Sequence, residues 1–116
     1  MRPVLIGELV ALARVLRAVA PACRMALARR VLTEARAADR HRRLRHKAHA
    51  RFGDGTLMSA VMGYRQADEG FASDPEFCHC LQVALAAIAE TQGLPVISGR
   101  DAVNYGFAFR PRSTIC

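Results

Sequence analysis

The sequence contains no tryptophan, and two tyrosines and five phenylalanines are its only large aromatic residues in a chain of 116. A core built from this chain must therefore be mainly aliphatic, and the hydrophobic fraction of 52% excludes global disorder. There is no run of about 20 apolar residues, so no segment is expected to span a membrane. Glu8, Arg14 and Arg17 interrupt the first apolar stretch, which makes it a poor secretion signal.

The sequence also lacks the short motifs of common enzyme classes. It contains no GxSxG nucleophile motif, no GxxxxGK[ST] phosphate loop and no GxGxxG dinucleotide fingerprint. Acidic residues cluster in a segment that is typical of a loop followed by a helix cap. They are Asp68, Glu69, Asp74 and Glu76. No two carboxylates are placed to share an apolar site, as acid–base catalysis requires, so we predict a protein that is not an enzyme.

Metal-ligating side chains are present, but their spacing is unfavourable. Cys78 and Cys80 flank a histidine, and residues two apart on a helix point about 200° away from each other. We expect one of these thiols to pack in the core and the other to lie near its edge. His46 and His49 share a helical face, but the arginines around them repel a cation. We therefore expect no metal and no cofactor, and four cysteines that are thiols in a reducing cytoplasm.

Hydrophobic periodicity predicts helices along most of the chain, at about residues 5–19, 21–47, 55–63 and 75–92. Pro21 is expected at the first position of the second helix. Asp54 is expected to cap the third, and DPEF at 74–77 is a strong start for the fourth. The apolar faces are expected to carry Leu5, Leu9, Leu12, Leu16 and Val19, then Leu27, Val31, Ala35 and Ala38, then Leu57, Met58, Val61 and Met62, and last Phe77, Leu81, Ala84, Leu85 and Ile88.

The segment after the fourth helix has a different pattern. Its larger apolar side chains alternate with small or polar residues, which is the period of a strand. They are Val103, Tyr105, Phe107 and Phe109. One strand cannot form a sheet alone, so this segment would lie extended, pair with another copy or remain mobile. The sequence thus predicts an all-α fold, a small bundle of about four helices over residues 1–92 with an extended or mobile C-terminal tail over residues 93–116.

Four stretches of the sequence together resemble a known family. They are MRPV at the start, AADR at 37–40, FGDGTLM at 52–58 and DPEFCHCL at 74–81. These stretches are similar to a family of small bacterial proteins that carries a domain of unknown function, and the resemblance covers roughly residues 1–92. It implies a helical protein, and it implies no activity, cofactor, partner or functional residue.

Basic residues are concentrated in the first half of the chain. Residues 1–51 contain 13 lysines and arginines against three acids, and residues 52–116 contain four against seven. The net charges of the two halves are therefore +10 and −3. Along the predicted second helix, basic residues recur at steps of four, three and four and form one stripe, with a further arginine beyond it. These candidate contact residues are Arg36, Arg40, Arg43, Lys47 and Arg51.

Three interpretations of this stripe remain open. It could contact nucleic-acid phosphates, it could be the solvated outer face of a long helix, or it could dock on the acidic second half of the same chain. Six of the thirteen residues at 39–51 are lysine or arginine, a density that exceeds what solubility requires. We predict a small non-catalytic cytoplasmic protein that acts as a protein-interaction or accessory module for an unknown macromolecular partner, with a protein favoured. The alternative is nucleic-acid binding through the second helix, by phosphate contacts without sequence preference.

Overall fold

The chain folds into four α-helices in the computed structural model, which describes residues 2–94. The helices are α1 (Ile6–Arg17), α2 (Arg24–Arg45), α3 (Leu57–Val61) and α4 (Pro75–Thr91), and a 3₁₀ turn (Pro21–Cys23) precedes α2. Within the described residues there is no strand, only an isolated bridge between His49 and Gly53. The all-α prediction is confirmed. The strand-like pattern at 103–109 lies outside the described residues.

The core is aliphatic, as the scarcity of aromatic residues requires. α1 packs mainly against α4, and α2 packs against both α4 and α3. The largest fully buried apolar side chains are Leu12, Leu16, Leu32, Leu57, Val15, Val31 and Val61. Phe77, which is 2% exposed, is the one large aromatic side chain among the buried residues of the described region. Each fully buried leucine contributes roughly 2 kcal/mol, so these aliphatic contacts supply most of the driving force for folding.

The buried faces differ in part from the predicted ones. Leu5 precedes α1 and is 68% exposed, and Met58 of α3 and Met62, which follows α3, are also exposed. In α4 the buried residues are Phe77, Cys80, Val83, Ala84 and Ala87, so Leu85 is exposed instead of buried. The physical reason is that α4 contacts both α1 and α2, so two neighbours determine which arc of the helix is covered. In an alanine-rich helix the few leucines are a poor guide to that arc.

The N-terminus of α4 follows its sequence signal. The carboxylate of Asp74 accepts a hydrogen bond from the backbone N–H of Glu76 at 3.3 Å, and Pro75 occupies the first helical position. Both features stabilise a helix start, because the first turn has N–H groups without partners and proline has no N–H to satisfy. The predicted helix at 75–92 is therefore confirmed to within one residue.

The helix α2 begins later and ends earlier than the predicted range 21–47. Pro21 starts the 3₁₀ turn, and α2 itself starts at Arg24. At the other end, His46 adopts a left-handed conformation with φ of 57°, and its N–H donates to the carbonyl of Arg42 at 2.8 Å. A left-handed residue in this position turns the chain away from the helix axis. The helix therefore stops before Lys47, and the prediction that Lys47 lies on it is wrong.

The cysteines of the described region occupy different environments. Cys80 is fully buried in α4, whereas Cys78 is half-buried, and both are free thiols. This confirms the expectation that one member of the pair packs in the core and the other near its edge. Cys23 lies at the end of the 3₁₀ turn and is half-buried.

Candidate functional site

The last two turns of α2 stand clear of the bundle. Ala38 and Asp39 are its last buried residues, and every side chain from Arg40 to Ala48 is exposed except that of His41. Seven exposed cationic residues lie between positions 36 and 51, and we call them the basic end. They are Arg36, Arg40, Arg42, Arg43, Arg45, Lys47 and Arg51. Asp39 is the only acid in this range, so the segment carries a net charge of +6.

The structure brings three of the five predicted contact residues onto one exposed face of α2. Arg36, Arg40 and Arg43 keep their spacing of four and three within the helix. Lys47 lies beyond the helix end, so the predicted four-residue stripe is shortened to three. Arg51 lies in the following loop, where its guanidinium carbon is 5.6 Å from the centroid of the neighbouring Phe52 ring.

One carboxylate lies at the base of the basic end. Asp39 forms an ion pair with Arg43, one helical turn further on, with a distance of 3.2 Å between Oδ2 and Nη2. The side chain of Asp39 is 11% exposed and that of Arg43 is 71% exposed. An ion pair whose cation is solvated contributes less than about 1 kcal/mol, so the pair orients Arg43 more than it stabilises the fold. The remaining cations project into solvent.

Two of the recognised motifs meet beside this carboxylate. Gly55 of the FGDGTLM motif lies against Asp39 of the AADR motif, and a Cβ at Gly55 would be 2.6 Å from the Asp39 Cα. Gly55 also has φ of +94°, a conformation that other residues rarely adopt. Glycine is therefore required here both by the close approach and by the backbone. The contact holds the segment after α2 against Asp39, where the basic end leaves the bundle.

Hydrogen bonds among hydroxyl groups and one carboxylate stabilise the start of α3, and the capping residue is not the predicted one. The N-cap is Thr56, whose hydroxyl accepts from the N–H of Ser59 at 3.2 Å, so the prediction of Asp54 as the cap is wrong. The Oδ1 atom of Asp54 accepts from the N–H and the hydroxyl of Thr56 at 3.0 and 2.7 Å, and from the Ser59 hydroxyl at 2.8 Å. These bonds, those to Thr56 first, lower the pKa of Asp54 to about 2. Asp54 thus orients the capping residue.

The loop between α2 and α3 folds back on the end of α2. His49 and Gly53 exchange two backbone hydrogen bonds, of 2.7 Å from the His49 N–H and 3.1 Å from the Gly53 N–H. The ring of His49 stacks on Phe52 at 4.7 Å between centroids and meets the edge of His41 at 4.9 Å. Desolvation first, then repulsion from His49, Arg45 and Lys47, lowers the pKa of His41. The loop that carries Lys47 and Arg51 is therefore ordered against α2.

Three acidic residues of the second half are engaged away from the basic end. Glu76 pairs with Arg24 at 3.0 Å, and Asp74 pairs with Arg17 at 3.6 Å. Glu90 makes a two-point contact with Arg29, at 2.7 and 3.0 Å, near the start of α2. The interpretation in which the acidic cluster docks on the stripe is therefore wrong for Asp74 and Glu76. Their partners lie at the end of α1 and the start of α2, away from the basic end.

One buried charge was not found by sequence reasoning. Arg24 is 2% exposed, and its guanidinium donates to the Leu16 carbonyl, to Nδ1 of His79 and to Glu76, at 3.0, 2.9 and 3.0 Å. A signal was present, because Arg24 precedes Ala28, Val31 and Ala35 at the helical spacing of a buried face. Arginine is rarely fully buried in proteins, so helical spacing alone does not lead to the prediction that Arg24 lies in the core. Because its surface is covered and each of its guanidinium nitrogens donates to a group of the same chain, Arg24 cannot serve an external ligand.

The side chains around Arg24 are not arranged for catalysis. Burial first, and then the charge of Arg24, lowers the pKa of His79, so its imidazole is neutral and its Nδ1 is already occupied. Burial raises the pKa of the neighbouring Cys80 thiol, which keeps it in the weakly nucleophilic thiol form. Arg24, His79 and Glu76 therefore act as a structural link between α2 and α4.

The fold and the surface define a small helical bundle with one exposed cationic end. The chain belongs to the family described as a domain of unknown function (DUF7742), whose match spans residues 2–88. This agrees with the resemblance of the four motifs, three of which the structure places around Asp39 and Arg24. No curated protein and no solved structure matches the chain. Within residues 2–94, none of the helices combines the length and the apolar character that crossing a bilayer requires.

Proposed function

We propose that the chain is a non-catalytic interaction module that binds an acidic surface of a partner protein through the basic end. The observation that carries the proposal is the charge imbalance of residues 36–51, where seven exposed cations accompany one largely buried carboxylate. Like charges at this density repel each other, and an acidic partner would relieve that repulsion. Asp74, Glu76 and Glu90 of the same chain do not relieve it, because each of them pairs with an arginine outside the basic end.

The composition of the basic end suits a protein surface. Arginine, which supplies six of the seven cations, is enriched in protein interfaces because its planar guanidinium binds carboxylates with two parallel hydrogen bonds. Leu44 lies among these arginines and is 72% exposed, so an apolar contact is available beside the charges. A phosphate backbone offers no apolar counterpart to Leu44. This favours a protein partner over a nucleic acid.

The experiment compares two variants with equal changes in charge. Arg36, Arg40 and Arg43 are replaced by glutamine in one variant, and Arg29, Arg30 and Arg65 are replaced in the control, so both lower the net charge from +7 to +4. Glutamine has a helix propensity close to that of arginine, so α2 should remain intact. We expect partners captured by the native chain and by the control variant to be lost by the first variant. A partner retained equally by all three chains contradicts the proposal.

A second candidate is nucleic-acid binding through phosphates, favoured by the regular stripe of Arg36, Arg40 and Arg43. Each cation that contacts a phosphate of duplex DNA contributes about −0.9 to the slope of log affinity against log salt. Three contacts would give a slope of about −3, and the glutamine variant should abolish most of it. The test uses a labelled DNA duplex at low salt. If no binding is detected at about 50 mM salt, where phosphate contacts are strong, nucleic-acid binding is excluded.

A further inference from the structure

The imidazole of His49 holds its own loop together. Its Nδ1 atom lies 3.0 Å from the backbone nitrogen of Arg51 and 3.0 Å from that of Phe52. Backbone N–H groups can only donate, so Nδ1 must be the acceptor and carries no proton. The neutral ring of His49 therefore has its proton on Nε2. One nitrogen lone pair satisfies two backbone donors of a loop that would otherwise leave them to solvent.

Protonation of His49 is incompatible with these two bonds. An imidazolium ion has a donor at both ring nitrogens and no acceptor, so Nδ1–H would face the N–H groups of Arg51 and Phe52. The geometry would change from two attractive contacts to two repulsive ones. Uptake of a proton by His49 therefore requires the loop to give up both contacts.

The charged groups around His49 would add to the repulsion. His41 contacts the ring from α2, and Arg45 and Lys47 act electrostatically on His41. Arg51 belongs to the same loop, beside Phe52. The two nearest carboxylates in sequence are already engaged, since Asp54 accepts from Thr56 and Ser59 and Asp39 pairs with Arg43.

We propose that the loop at residues 46–53 is a proton-controlled latch, closed around neutral His49 and opened when His49 is protonated. Opening changes the presentation of Lys47 and Arg51, the two cations of the basic end that lie outside α2, and protonation adds positive charge beside them. The effect on partner binding rests on the proposed function. The opening of the loop does not, so it can be tested without a partner.

The first experiment follows the backbone amides of Arg51 and Phe52 by NMR as the pH is lowered from 7.5 to about 5. At the upper pH we expect the Nε2–H tautomer of His49 and two protected amides. As the pH falls, both amide signals should shift, and their protection from hydrogen exchange should fall about fivefold, as for the loss of one ordinary hydrogen bond. An Nδ1–H tautomer at pH 7.5, or amides that do not respond to the titration, would overturn the proposal.

Two variants separate the latch from general charge effects. His49→Asn keeps an oxygen acceptor, because asparagine side chains bind backbone N–H groups two and three residues on, but it does not titrate. We expect its two amides to stay protected at pH 5. The control is His46→Asn, which removes a neighbouring histidine, and asparagine tolerates the left-handed conformation of that position. This control should behave as the native chain. If the amides of His49→Asn titrate as in the native chain, His41 controls the loop and the proposal is wrong.

The binding consequence is measured with an acidic probe, a labelled poly-glutamate peptide, at pH 7.5 and pH 5.5. We expect affinity to change with pH more in the native chain than in His49→Asn. Failure of every chain to bind the peptide would contradict the proposed function while the amide titration still decides the latch. Equal pH dependence in both chains would show that the latch does not regulate the surface.

Discussion

Nη1 of Arg24 lies 2.9 Å from Nδ1 of His79, at a position where the arginine is 2% exposed. A guanidinium has no acceptor, so His79 must accept at Nδ1 and must be neutral. His49 accepts at the same ring atom in the loop after α2. Two histidines of this chain thus stabilise the structure through an accepting Nδ1 atom, one inside the bundle and one at its basic end.

Arg24 should be the most sensitive charged position in the bundle. Arg24→Ala leaves the Leu16 carbonyl without its donor and opens a cavity, so we expect the free energy of unfolding to fall by about 3 kcal/mol. Arg24→Met fills more of the volume and should cost less. Glu76→Gln is the control, because the Glu76 side chain is 54% exposed and should change stability by less than about 1 kcal/mol. Urea unfolding measures all three. Equal effects of Arg24→Ala and Glu76→Gln would contradict this role for Arg24.

The His79 contact predicts a dependence of stability on pH. The pKa of His79 is lowered in the folded chain, by burial first, so between the folded and unfolded values the unfolded chain binds the proton more readily. Stability therefore rises with pH through this window: it is fully present above about 6.5 and is lost as pH falls. His79→Asn keeps an acceptor that does not titrate, so its unfolding free energy should fall less than that of the native chain between pH 7 and pH 5. Parallel curves would assign the acid sensitivity to other histidines.

The positions of Asp74, Pro75 and Arg24 show which structural features a local sequence pattern can predict and which it cannot. A capping side chain acts on backbone groups two or three residues away, so the start of α4 could be predicted from DPEF alone. The burial of Arg24 depends on His79 and Glu76, more than fifty residues further on, and no local pattern encodes that distance. The apolar spacing that continues through Ala28 and Val31 was the available clue.

The sequence predicted which basic residues the basic end contains, but it did not predict where α2 ends or how the following loop folds. The spacing of Arg36, Arg40 and Arg43 requires only a continuing helix, and the structure keeps it. The end of α2 was misplaced because His46 adopts the left-handed conformation that sequence reasoning reserves for glycine and asparagine. The loop beyond it is held by the imidazole of His49, a contact for which no standard turn motif exists in the sequence. Lys47 and Arg51 therefore lie where helical spacing does not place them.

Alanine substitutions at three glycines distinguish the cost of a steric clash from the cost of backbone strain. Gly55→Ala would put a methyl group 2.6 Å from the Asp39 Cα at a φ of +94°, so we expect a loss of more than 2 kcal/mol. Gly93→Ala has a φ of +70° but open space around it, so strain alone should cost about 1 kcal/mol. Gly7→Ala lies within α1 with nothing close by and should stabilise by about 0.5–1 kcal/mol. Thermal unfolding gives the order of the three. A tolerated Gly55→Ala would contradict the contact between the two motifs.

The carboxylate of Asp54 should stay ionised to a lower pH than an ordinary aspartate. Its hydrogen bonds with Thr56 and Ser59 lower the pKa of Asp54 to about 2, so the stability it contributes is present above the ordinary value of 3.8 and is lost as pH falls through 2. Carbon-13 NMR of the carboxyl group should show Asp54 still ionised at pH 3. Asp54→Ala removes the acceptor that orients the cap of α3 and should cost about 1 kcal/mol at pH 6. Asp54→Asn keeps an oxygen for the same donors, so it should cost less and should flatten the stability curve between pH 4 and pH 2. An Asp54 that titrates near 3.8, or an asparagine variant as unstable as the alanine one, would show that the hydroxyl network does not hold the carboxylate.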